Sequence, residues 1–319
     1  MLAALTSADA ITWASICVKA LAYAATLSAI GSVLLIVALR ELSERGRSAL
    51  RLTAVASALA AALFSALRLP VRASFLMGGA WDGAIDPMIL GMVADSPLGA
   101  SVVLRLLGLA LILAVLWRAR AGLALALLGA CIASVSFALR GHALSEPRVL
   151  LGALITLHIL CLAFWVGAFA PLARAARLDP PARAGSLANE FGRRALWAVG
   201  LVVLAGGITL ALLGAATPSA LSSPYGQMFA VKLVLFAGVI ALAAVNKLTL
   251  TPALLTGAPG VATRLRRSIG VEAGLVAGIL VATAALTTLS APPSNGDSAQ
   301  AALSAPSRGA AHQTIGDAS

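Results

Sequence analysis

Two of the three histidines in this chain lie close together, one in a short polar segment and one inside an apolar run. His142 follows Gly141, and His158 stands among Leu, Ile, Ala, Phe and Trp. Ionisable side chains deep in an apolar helix are rare and usually functional. Because an imidazole can bind a metal or transfer a proton, His158 is a candidate functional residue, with His142 nearer to bulk water. The alternative is that His158 only hydrogen-bonds between helices and that His142 is solvated.

Sulfur-bearing side chains add to this candidate metal chemistry. Cys161 and Trp165 follow His158 by one and two helical turns, on the same face of a helix. Three methionines share one segment between apolar runs: Met77, Met88 and Met92. Thiolate, thioether and imidazole are the ligands that suit Cu(I). The pattern indicates copper binding by these sulfurs and the two histidines, against the alternative that each sulfur only packs.

Three basic residues lie inside apolar runs: Lys19, Arg105 and Lys232. The favoured interpretation is that their charged ends snorkel toward the membrane surface. The alternatives are that they turn inward, where they would repel a cation, hold an anionic group, or pair with one of the acidic residues Asp82, Asp86, Asp95 and Glu146.

The composition is that of a membrane protein. Of the 319 residues, 60% are hydrophobic and only 11% are charged, whereas a soluble domain has about 25% charged residues. The net charge of +11 falls in short loops and forms no solvated basic face, so a nucleic-acid partner is excluded. No CxxC pair, phosphate-binding loop, dinucleotide fingerprint or nucleophile triad is present. An ATP-driven pump and an enzyme are therefore not indicated.

The apolar runs predict an all-α integral membrane protein, a bundle of about eight transmembrane helices. A bilayer core of about 30 Å needs roughly 20 apolar residues per helix, and no run alternates as a barrel strand does. The predicted spans are Trp13–Leu39, Leu50–Leu69, Gly99–Trp117, Gly122–Leu139, Leu150–Pro171, Ala195–Gly214, Tyr225–Leu250 and Ile269–Leu289.

Loop charges predict the orientation of the bundle. Lys and Arg concentrate in alternate loops, which places those loops in the cytoplasm and both termini on the opposite side, in the periplasm. The segment Val71–Gly99, broken by Gly, Asp and Pro, predicts a folded external loop or an interfacial helix. Residues 1–290 are thus expected to form one membrane domain, and residues 291–319, rich in Ser, Ala and Pro, a disordered periplasmic tail.

Beyond these patterns, the second half of the chain resembles the CopD/PcoD copper-resistance membrane family. The likeness covers roughly Gly141 to Leu289. It is carried by four stretches: GHA (Gly141–Ala143), LHILCLAFWVGAFAPL (Leu157–Leu172), GRRALWAVGLVVLAGGITLALLG (Gly192–Gly214) and YGQMFAVKLVLFAGVIALAAVNKLTLTPAL (Tyr225–Leu254).

The resemblance implies a multi-pass protein of the bacterial inner membrane that handles copper and moves it from periplasm toward cytoplasm. Carried over by position, His142, His158, Trp165, Lys232 and Asn246 match the family pattern. Because no periplasmic copper-binding domain precedes the first span, we expect a separate periplasmic copper carrier as partner. The methionine segment would accept copper from it.

A redox protein that binds haem b is the alternative function. Under it, His142 and His158 would be the axial ligands, and the bases inside the spans would pair with the propionates. The different depths predicted for the two histidines make this pairing awkward across one macrocycle.

Overall fold

The computed structural model describes residues 8–212 and 224–289, and these residues form helices with no strand among them. Within these ranges, eight helices are long and apolar enough to span a membrane, as predicted. We number them α1 (Ala10–Ala38), α2 (Glu44–Leu76), α3 (Pro97–Ile112), α4 (Arg120–Val135), α5 (Arg148–Leu178), α6 (Pro181–Leu212), α7 (Pro224–Val245) and α8 (Val261–Leu289).

Several spans continue beyond the regular α-helix. Short 3-10 turns extend α3 to Leu116 and α4 to Leu139. After α7 the chain forms a π-helical turn, Asn246–Leu250, and a last α-helical turn, Thr251–Leu255. The seventh span is therefore a helix with a change of winding near its end.

Side-chain caps define where the first helices begin. Asp9 accepts a hydrogen bond from the Thr12 amide at 2.9 Å, and Ser43 accepts one from the Gly46 amide at 3.1 Å. Such caps satisfy amide groups that have no partner within the helix. The hydrogen bonds from Thr12 also hold the pKa of the Asp9 carboxyl below its ordinary value.

The segment between α2 and α3 is partly helical. Trp81–Ala84 forms a 3-10 turn and Pro87–Ala94 a short α-helix, which agrees with the predicted folded segment. Its predicted start was wrong, because α2 continues through Pro70 to Leu76. A proline inside a helix removes a hydrogen bond and crowds the carbonyl four residues earlier, but the apolar residues on both sides still extend the span.

Helix α1 lies at the centre of the bundle. It packs against α2, α4, α5 and α8, and it is the most buried span. Its crossing with α5 is close, since a Cβ atom added to Gly31 would overlap the Ala163 carbonyl and lie 2.9 Å from the Gly167 Cα. Glycines thus let the two backbones approach where a larger side chain would separate them.

The bundle has two groups of four helices, the N-terminal half, α1–α4, and the C-terminal half, α5–α8. The end of the bundle at which α1 begins is called the outer end, because the loop charges predict that it faces the periplasm. In the C-terminal half, α5 packs on α6 and α7 packs on α8, while α7 is the least buried span.

Candidate functional site

A buried carboxyl group marks the candidate site of the C-terminal half. Glu272 lies on α8, one helical turn inside the apolar run that begins at Ile269, and is only 5% exposed. The Asn246 side-chain amide donates a hydrogen bond to its carboxyl oxygen. No described residue forms an ion pair with it. A buried ionisable group within a membrane span is a functional-site candidate.

Further polar atoms surround this carboxyl. The indole N–H of Trp165 on α5 is buried without a well-aligned hydrogen-bond acceptor, and the Glu272 carboxyl is its electrostatic neighbour. Asn246 Oδ1 and Ser268 Oγ are also buried without a partner. Ser268 precedes Glu272 by one helical turn and shares its face of α8. Unsatisfied oxygens beside a buried carboxyl form a polar environment suited to a cation.

The π-helical turn positions Asn246. The Thr251 amide donates to the Asn246 carbonyl, the i to i−5 bond of a π-helix, and the Thr251 hydroxyl donates to the same oxygen at 2.7 Å. Pro252 follows at once. Its ring would clash with the carbonyl four residues earlier in a regular helix, so the wider turn accommodates it. Short π-helical segments of this kind occur frequently at functional sites.

His158 lies on α5, two helical turns nearer to the outer end than Trp165, a separation of roughly 10 Å along the axis. Its side chain is half-buried. Lys232 of α7, also half-buried, is an electrostatic neighbour of the imidazole. The structure thus places the positive charge of one predicted site residue within electrostatic range of the candidate metal ligand.

Cys161 lies between the levels of His158 and Trp165 but has apolar surroundings. It is buried and lines a small cavity of about 50 Å³ together with Trp165. The other lining residues are Leu, Val, Ala, Phe and Ile side chains from α1 and α5–α8. Among the described residues, no cluster of three or more His, Cys, Asp and Glu side chains has the spacing to hold a metal ion. The role of Cys161 as a ligand stays a prediction.

The three methionines occupy the outer end. Met77 caps the end of α2, and Met88 and Met92 lie one turn apart on the short helix Pro87–Ala94. All three side chains are exposed, Met88 by 70%. Their exposure suits contact with a partner, and nothing in the fold tests copper binding.

His142 lies in the 3-10 turn Gly141–Leu144, between α4 and α5 at the outer end. Its side chain falls outside the described part of the structure, as do the predicted tail 291–319 and the loop after Leu212. The role of His142 as a metal ligand therefore stays a prediction.

The snorkelling interpretation was wrong for Lys19 and Arg105. Lys19 is 7% exposed and donates hydrogen bonds to α8 at the Thr287 carbonyl and the Thr287 and Thr288 hydroxyls. Arg105 is 1% exposed, with its Nε donating to Ser136 Oγ at 3.0 Å. Both turn into the bundle because small hydroxyl side chains there supply acceptors. Neither forms an ion pair with a described acidic residue.

Two buried carboxyl groups were missed by the reasoning from sequence. Glu190 on α6 accepts hydrogen bonds from the Arg40 and Glu41 amides and from the Arg194 guanidinium, so its partners explain it as a cap on the turn after α1. Glu272 has no such structural explanation. The signal that could have found it is a lone carboxylate in the apolar run Ile269–Leu289.

Both halves of the chain match models of known protein families. Residues 8–152 match the family described as copper resistance protein D-like, N-terminal domain, and residues 185–286 match copper resistance protein D. No curated protein and no solved structure gave a significant match. The two matched ranges together cover most of the chain. It therefore belongs to the copper resistance protein D family, and it is a multi-pass membrane protein related to copper resistance.

Of the two predicted ligands, copper and haem b, the family supports copper. Neither matched family description mentions haem. The proposed axial pairing involves the His142 side chain, which lies outside the described part of the structure.

Proposed function

We propose that the protein carries copper ions across the bacterial inner membrane, from periplasm to cytoplasm, through the C-terminal half. The observation that carries this proposal is the buried Glu272 carboxyl, with Asn246 as its hydrogen-bond partner and no described ion-pair partner. An unpaired carboxylate that is buried is costly. A passing cation would offset that cost, so the site is suited to transient occupancy by a metal ion.

The polar groups follow one another along the membrane normal. His158 lies toward the outer end, and Trp165, Asn246 and Glu272 lie deeper. Imidazole binds copper in both oxidation states, the carboxylate adds an oxygen ligand further along the route, and the exposed methionine sulfurs suit Cu(I). Lys232 beside His158 would weaken copper binding there by repulsion, and weak binding favours release to the next group.

The remaining parts of the proposal rest on the family and on the loop charges. The protein acts as a carrier and not as an enzyme, and the absence of a phosphate-binding loop supports transport without ATP hydrolysis. A soluble periplasmic carrier would deliver copper to the exposed methionines Met77, Met88 and Met92. The loop charges support a periplasmic location for both termini.

Glu272→Gln tests the proposal. Glutamine keeps the volume and an oxygen that can accept from Asn246, but it removes the negative charge. We expect copper accumulation in cells, normalised to the amount of the protein in the membrane, to fall by on the order of tenfold or more, the loss associated with one charged hydrogen-bonding group.

Glu190→Gln is the matched control, because Glu190 is buried to the same degree. Its carboxylate accepts hydrogen bonds from two backbone amides. Its substitution should therefore reduce the amount of protein in the membrane and leave copper accumulation per molecule near normal. Equal accumulation per molecule in Glu272→Gln and the unmodified protein would contradict a role of Glu272 in transport.

A further inference from the structure

A group of basic side chains fills the outer part of the N-terminal half. Arg68 of α2 is 5% exposed, Arg105 of α3 is 1% exposed and Lys19 of α1 is 7% exposed. Arg72 and Arg140 lie within electrostatic range of Lys19. All five lie in the outer halves of their spans or in the turn after α4. We call these five residues the basic cluster.

Tyr23 stands at the centre of the basic cluster. The Arg68 guanidinium lies 5.6 Å from the centroid of its ring, and Arg105 and Arg140 are both electrostatic neighbours of Tyr23. The Tyr23 ring lies 5.6 Å from the Phe137 ring, and the Arg105 guanidinium is 4.1 Å from that ring. The two aromatic rings thus hold one arginine each, where α1, α2, α3 and the 3-10 turn that extends α4 meet.

No described residue forms an ion pair with the basic cluster. The ion pairs of the described residues are Arg47 with Glu44 and Arg194 with Glu190, and neither involves the cluster. Two guanidinium nitrogens, Arg68 Nη1 and Arg105 Nη1, are buried with no hydrogen-bond partner. Buried charges in proteins are normally paired and hydrogen-bonded, so this arrangement lacks its counter-charge.

We propose that the basic cluster binds a phosphate group. Arginine binds phosphate oxygens through parallel N–H donors, and a phosphate accepts enough hydrogen bonds to satisfy both unpartnered guanidinium nitrogens. Its charge offsets the mutual repulsion of five bases better than a single carboxylate would. The phosphate belongs either to the headgroup of an anionic lipid or to a free anion from the aqueous phase.

Access to the basic cluster runs from the outer end. Arg72 is exposed there and Arg140 is half-buried, whereas Arg68, Lys19 and Arg105 are buried behind them. Positive charge at the surface attracts an anion before the buried groups bind it. This site is independent of the copper route proposed for the C-terminal half.

Binding is tested on the purified full chain in nanodiscs of phosphatidylcholine. In one arm, radiolabelled inorganic phosphate is added and the bound fraction is measured by equilibrium dialysis. In the other, the discs also contain phosphatidylglycerol, and the lipid retained after transfer to detergent is counted by native mass spectrometry. Binding of inorganic phosphate indicates a free anion, and retention of phosphatidylglycerol alone indicates a lipid headgroup.

Arg68→Gln and Arg105→Gln, made separately, should each weaken the observed binding by on the order of tenfold or more. Arg118→Gln is the control, because Arg118 is exposed at the opposite end of the bundle and its loss should leave binding unchanged. If the buried variants do not fold, Arg72→Gln, on the surface, should still reduce binding. The proposal would be overturned if the unmodified protein bound neither phosphate nor phosphatidylglycerol. It would also be overturned if the folded arginine variants bound as well as the unmodified protein.

Discussion

The two halves of the bundle bury opposite charges. The N-terminal half encloses Lys19, Arg68 and Arg105, and the C-terminal half encloses Glu272. None of these four forms an ion pair within the described part of the chain. Electrostatic interactions are strong where water is excluded. A copper ion is therefore disfavoured among the bases and favoured beside the carboxyl group. The contrast teaches that one membrane domain can hold separate environments for a cation and an anion.

The predicted orientation gives the largest test, because it decides which compartment each environment faces. A periplasm-active reporter fused after Ser290 should be active, and the same reporter fused after Asp179, in the short turn between α5 and α6, should be inactive. The reason is the concentration of Lys and Arg in alternate loops. Reporter activity per fusion protein is the measurement. The reverse pattern would place the basic cluster and the methionines on the cytoplasmic side.

The next test sharpens the role of the C-terminal half. We expect His158→Ala to lower copper accumulation per molecule by on the order of tenfold, because no other described imidazole is available at that depth. His142→Ala, nearer to bulk water, should chiefly weaken apparent affinity, since water or sulfur can replace an outer ligand. Accumulation should be measured over a range of copper concentrations, with an absorption spectrum of each variant.

Three outcomes of that experiment are informative. Normal accumulation in His158→Ala would remove this residue from the transport route. Loss of protein from the membrane, with normal accumulation per molecule, would indicate that the imidazole only packs. An absorption band that disappears in either variant would favour the haem alternative.

A smaller effect is expected where the two halves meet. Gly31→Ala adds a methyl group at the crossing of α1 with α5, where it overlaps the Ala163 carbonyl. Overpacking of this kind costs about 1–3 kcal/mol, so the melting temperature of the purified protein should fall. Gly270→Ala on α8 is the control, because its added Cβ meets no atom within 4 Å. Equal melting temperatures would show that the crossing tolerates separation of the halves.

The smallest effect is expected at the outer surface. Replacing Met77, Met88 and Met92 together by Leu removes the sulfur atoms and keeps much of the volume, and because these side chains are exposed the folded protein should lose little stability. If they accept Cu(I), its transfer from a soluble chelator to the protein should become a few-fold slower. Unchanged transfer would remove the methionines from the route and leave the contrast between the halves intact.

The number of spans could be predicted from the sequence because hydropathy is a property of each segment alone. The ends of the helices could not. Helix α2 begins at Glu44, among polar residues that precede the apolar run. Outside the bilayer, capping hydrogen bonds and not hydrophobicity stabilise the end of a helix. Ser43 supplies that cap.

The candidate site was only partly predictable, for a related reason. Depth along a span follows from counting residues, but the direction of a side chain depends on its neighbours. Lys19 turns inward because Thr287 and Thr288, far away in sequence, provide acceptors. Glu272 was missed because one carboxylate hardly changes the mean hydropathy of a span. Asn246 was matched through the family, and only the structure gives its partner.

The π-helical turn has a consequence for the phase of the seventh span. A residue in an α-helix is rotated by about 100° from the one before it, and the i to i−5 bond from Thr251 to Asn246 takes up one additional residue. The residues of the seventh span on one side of the turn are therefore rotated by about 100° about the helix axis, relative to their positions in a continuous α-helix. Deleting Leu248 should restore the regular winding and turn either Asn246 or the Thr251–Leu255 segment away from its present neighbour. The orientation of the Asn246 amide toward Glu272 is thus encoded by an inserted residue as much as by the asparagine itself.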